Sequence, residues 1–88
     1  MKLSNNNQLY EYMVLVSTKL KDAGLSSLSE VVQSAARTAT ANPATEFLGE
    51  SRKALSLVLT NGASCFTESE RADLLDVLSQ IDRAFNER

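Results

Sequence analysis

The chain has 88 residues and a mass of 9.6 kDa, room for one small domain over 1–88 and for no separate cofactor or substrate domain. Apolar residues make up 43% and charged residues 23%, the balance of a globular chain rather than a disordered one. There is no His, no Trp and one Cys, which removes His-based triads, His metal sites, CxxC redox motifs and disulfide scaffolds; a net charge of −2 and a pI near 5.0 argue against a basic nucleic-acid-binding surface.

Four helices are predicted in chain order, at about 6–23, 27–41, 43–60 and 67–86. No segment alternates apolar and polar residues for long enough to suggest a strand. In the first helix Leu9, Met13, Val16, Leu20 and Ala23 recur at spacings of four and three and form one stripe, with Tyr12 on its flank. Gly24 then offers a positive-φ residue at C′ and Leu25 a C″ apolar contact back to Leu20, the pattern of a Schellman motif.

The second helix opens at Ser27, which has capping-box spacing to Glu30. Leu28, Val31, Val32, Ala35 and Ala39 form its expected buried stripe. Asn42-Pro43 ends it, and the same pair caps the third helix. There Phe47, Leu48, Ser51, Ala54, Leu55, Val58 and Leu59 face inward, and Asn61-Gly62 stops the helix with a left-handed residue at either position. The last helix follows a loop carrying Cys65 and Phe66. Thr67 and Glu70 form its capping box, and Leu74, Val77, Leu78, Ile81 and Phe85 line its core face. Short connections favour antiparallel neighbours, so the expected fold is all-α: a compact up-down bundle of four short helices.

Chemistry is scarce in this pattern. Glu46 and Glu50 stand one turn apart on the outer face of the third helix, without the His that a carboxylate-bridged metal site uses. Cys65 has no His to act as its base, so it reads as structural. The three glycines are too scattered for a phosphate loop. No enzyme, cofactor or metal is expected. No run is apolar enough for a signal peptide or a membrane span, so a cytoplasmic protein without membrane contact is expected.

What remains is a surplus of large apolar residues off the core stripes: Tyr10, Val14 and Leu15 on the first helix, Leu57 on the third and Leu75 on the fourth. Charge is also uneven. Residues 61–88 carry six acids and three bases, net −3, against net +1 in residues 1–60. Asp73 and Asp76 head a polar face of the last helix that could meet a basic partner. The expected function is a non-catalytic protein–protein interaction module, by analogy of class with small inhibitors, immunity proteins and antitoxins. The alternatives are a homodimeric structural subunit burying Tyr10, Val14 and Leu15, and a small-ligand carrier.

Overall fold

The computed structural model describes residues 5–40 and 45–86. It holds α1 (Asn6–Asp22), α2 (Ser26–Ala36), α3 (Thr45–Asn61) and α4 (Glu68–Asn86), with single 3-10 turns at Arg37–Thr40 and Ala63–Cys65. There is no strand among the described residues. The radius of gyration of 12.0 Å equals the roughly 12 Å expected for a compact chain of this length.

Both ends of α1 and the start of α4 have a local cause. Asn5 caps α1 by accepting the Gln8 N–H on its side-chain oxygen at 2.9 Å. At the other end Gly24 takes φ +83°, the Leu25 N–H donates to the Leu20 carbonyl at 2.8 Å, and the Gly24 N–H donates to the Lys21 carbonyl at 3.0 Å. These are the two bonds of the expected Schellman motif. The second expected capping box forms at α4. The Thr67 N–H donates to the Glu70 carboxylate at 2.8 Å, and the Glu70 N–H donates to the Thr67 hydroxyl at 3.1 Å.

Several expectations are corrected. The Ser27–Glu30 box does not form. The Schellman turn runs straight into α2, which begins at Ser26 with Leu25 as its N-cap and no side-chain cap. The α-helix then ends at Ala36 and tightens into the 3-10 turn instead of reaching 41. Ala23 is exposed, because it is the C-cap and not part of the α1 stripe. Val31 is exposed rather than buried. Neither Asn61 nor Gly62 is left-handed; Gly62 has φ −122°. Its lack of a side chain serves close packing instead, since a Cβ there would stand 3.1 Å from both the Leu20 Cδ2 and Leu28 Cδ1 atoms and 3.3 Å from the Val58 carbonyl oxygen. The expected role of Asn42-Pro43, and the side chain of Phe85, lie outside the described residues.

Three cross-helix contacts establish the up-down order. Near the end of α1 the Ser17 carbonyl accepts from the Ser29 hydroxyl near the start of α2, at 2.9 Å. Gly62, just past α3, sits against Leu20 near the end of α1 and Leu28 near the start of α2. Lys19 on α1 bonds Glu70 in the first turn of α4. The C-terminal ends of α1 and α3 therefore meet the N-terminal ends of α2 and α4 at one end of the bundle.

The core between the helices is apolar. Leu9, Met13 and Leu20 of α1, Val32 of α2, Phe47, Leu55 and Val58 of α3, and Leu74, Val77 and Ile81 of α4 are all buried. Phe66, from the connection before α4, joins them. Burial of this set is the main stabilising term, at about 1.5–3 kcal/mol for each large side chain removed from water. One buried polar atom disturbs it. Ser51, on the inner face of α3, is fully buried and its hydroxyl has no hydrogen-bond partner among the described residues.

Candidate functional site

Helix α2 packs centrally, between α1 on one side and α3 on the other. Each of its flanks leaves an open groove. The larger, about 630 Å³, lies between α1 and α2. Its α1 wall is Asn7, Tyr10, Val14 and Ser17, residues three or four apart and therefore on one flank of the helix. Its opposite wall is Gln33 and Ala36, continued by Arg37 and Ala39 of the 3-10 turn. Tyr10 and Val14 remain 40% and 41% exposed. Two of the off-stripe apolar residues thus stand side by side in one concave surface.

The groove has a hydrogen-bonded base. The Gln33 amide donates to the Ser29 hydroxyl at 3.0 Å, which in turn donates to the Ser17 carbonyl. The Ser17 hydroxyl donates to the Val14 carbonyl at 2.9 Å. Ser17 and Ser29 are buried, so these bonds satisfy polar groups that would otherwise cost about 1–3 kcal/mol each. They also lock α1 to α2 directly beneath the apolar wall.

The other predicted contact residues are dispersed. Leu15, 66% exposed, projects one residue on from Val14 and so about 100° round α1, outside the groove. Leu57 lines the second groove, between α2 and α3, with Val31, Ala35 and Ala54. Its rim carries Glu30, Glu50 and Lys53, the last two 3.9 Å apart. Leu75 is exposed on α4 in neither groove. The exposure of Val31 was concealed in the sequence by its position beside Val32. With α2 packed on two flanks, its apolar arc is wider than the surface that its neighbours cover.

The acidic face of α4 is partly committed to internal bonds. Glu70 holds Lys19, and Asp82 pairs with Arg52 of α3 at 3.1 Å. Asp76 accepts from the Gln80 amide at 3.2 Å. Asp73 is half-buried near Tyr12. Burial pushes the Tyr12 phenol up to about 12, helped by the neighbouring carboxylates of Asp73 and Glu70. The Glu70 carboxyl is held below its ordinary range, first by its hydrogen bond from Lys19 and then by the Thr67 N–H.

No group of three or more acidic or cysteine side chains gathers closely enough to hold a metal among the described residues. Cys65 is a free, half-buried thiol in the 3-10 turn before α4. No helix among the described residues is long and apolar enough to cross a membrane. Compared with protein-family models, curated proteins and solved structures, the chain finds no match in any of the three.

Proposed function

We propose that this is a non-catalytic protein-interaction module that engages its partner through the α1–α2 groove. The observation that carries the reading is the pairing of Tyr10 with Val14 in that groove, both well exposed, over a hydrogen-bonded base. A concave apolar wall with a few polar groups is what a partner side chain or helix needs for burial. Nothing in the composition supplies the apparatus of catalysis, since the chain has no His and its one Cys has no base beside it in the sequence. Small acidic helical inhibitors and antitoxins share this physical profile, which makes neutralisation of another protein a reasonable role. The proposal places the protein in the cytoplasm, where a lone Cys65 needs no disulfide partner.

Tyr10→Ser combined with Val14→Lys tests this. Both positions are exposed, so the double variant should keep its helical circular dichroism. Co-purification from the native host, with wild type and variant in parallel, should show one protein retained by the wild type and lost by the variant. Equal retention by a folded variant removes the groove from the reading. A wild type that sediments as a dimer on its own, and a variant that does not, converts the reading to self-assembly.

A further inference from the structure

We propose that the α1–α2 groove receives a helical segment of a partner protein, apolar in its middle and carrying carboxylates towards both ends. The inference rests on the protein-binding reading of the same groove and specifies the chemistry of the partner. From Asn7 to Ser17 the groove runs along eleven residues of α1, a rise of about 15 Å or roughly three helical turns. That length suits a helix laid into a groove through anchors three, four and seven residues apart. Its centre is the apolar pair Tyr10 and Val14 facing Ala36.

A cation stands towards each end. Arg37 lines the groove where it passes Asn7 and Tyr10. Lys21 does not line the groove; it lies one turn of α1 beyond Ser17, the last lining residue, and on the flank that carries Val14 seven residues earlier. Both are exposed, and neither is bonded to another side chain among the described residues. The contrast is with Lys19 and Arg52, whose charges are held by Glu70 and Asp82. Among the described residues no carboxylate lines the groove. Glu11 and Asp22 lie farther round, on the polar ridge of α1.

The sign of these charges separates the possible occupants. A basic helix would set like charges against Arg37 and Lys21, which opposes docking. A second copy seated symmetrically would bring the same two cations face to face, because a two-fold contact presents one patch to itself. A helix with carboxylates outside an apolar centre meets both cations and covers Tyr10 and Val14.

The test uses the full chain, labelled with nitrogen-15, and two synthetic peptides of about fourteen residues. Both carry the same leucine stripe; one has Glu and the other Lys on either side of it. The acidic peptide should shift the amide signals of Tyr10, Val14, Ala36 and Arg37 and bind roughly tenfold more tightly than the basic one, as two exposed charge pairs allow. Lys21→Glu with Arg37→Glu should erase or invert that preference while the shifts stay in the groove. Equal binding of both peptides in the groove overturns the charge inference and leaves the groove as a protein-binding surface. No binding of either peptide, or shifts confined to the Val31–Leu57 groove, overturns the inference and the reading beneath it. Concentration-dependent self-association abolished by Val14→Lys overturns it in favour of a second copy.

Discussion

The ammonium of Lys19 lies 2.7 and 2.8 Å from the two carboxylate oxygens of Glu70, fifty-one residues later in the chain. The same carboxylate accepts the Thr67 N–H that opens α4. One side chain thus completes the cap of α4 and ties that cap to the last turn of α1. Lys19 also stands 5.9 Å from the centre of the Phe66 ring, which seals the joint against the core.

Thr67→Ala should cost about 1 kcal/mol of folding stability, because the Glu70 N–H loses its acceptor at the start of α4. Ser27→Ala, at the position with the same sequence spacing, should stay within about 0.5 kcal/mol, since Ser27 is exposed and caps nothing. Urea unfolding of both variants against the wild type measures the difference. Equal losses would mean that α2 starts at Ser27 after all.

Stability should fall at both extremes of pH, through different residues. The folded Glu70 carboxyl is held below its unfolded value, so its contribution is present above about pH 4.5 and is lost as the pH drops through the folded pKa. The Tyr12 phenol is raised to about 12, so its contribution is present below about pH 10 and is lost as the pH climbs towards 12. Melting temperatures across the pH range, with Glu70→Gln and Tyr12→Phe as controls, should show the acid slope reduced by the first and the alkaline slope reduced by the second. A Glu70→Gln curve parallel to the wild type at low pH would remove the Lys19 contact as the cause.

Ser51→Ala should raise stability by about 1 kcal/mol. The hydroxyl is fully buried without a partner, so its removal relieves a desolvation cost, and Ala is the better helix former. Chemical denaturation gives the sign directly. A loss of stability would show that the hydroxyl finds a partner in solution.

Local grammar was legible in the sequence, and contacts between distant residues were not. The Schellman turn at Gly24 and the Thr67–Glu70 box follow from residues a few positions apart. The failed Ser27 box shows how two local signals compete. The Leu25 N–H is already bonded to Leu20, which sets the next helix one residue early. Val31 falls on the predicted stripe yet is exposed, because periodicity marks the centre of an apolar arc and not the edge to which neighbours extend. For the candidate site, the off-stripe positions of Tyr10, Val14, Leu15, Leu57 and Leu75 were readable from helical spacing, and all five are exposed. Which of them share a surface depends on how the helices pack, and that brings Tyr10 and Val14 together while sending Leu15 elsewhere. Glu70 is legible as the partner of Thr67, but nothing in its spacing shows that the same carboxylate also holds Lys19, fifty-one residues earlier.

The Schellman turn, the tight seat of Gly62, the Ser29 bond and the Lys19–Glu70 joint all lie at one end of the bundle. Amide hydrogens there should therefore exchange with solvent most slowly, and partial unfolding should begin at the opposite end, around Asn7, Tyr10 and the 3-10 turn at Arg37. The groove spans this gradient, anchored at Ser17 and loosest at Tyr10. A partner seated in it would slow exchange chiefly at its loose end, where the free chain is least protected and bound contacts have most to add.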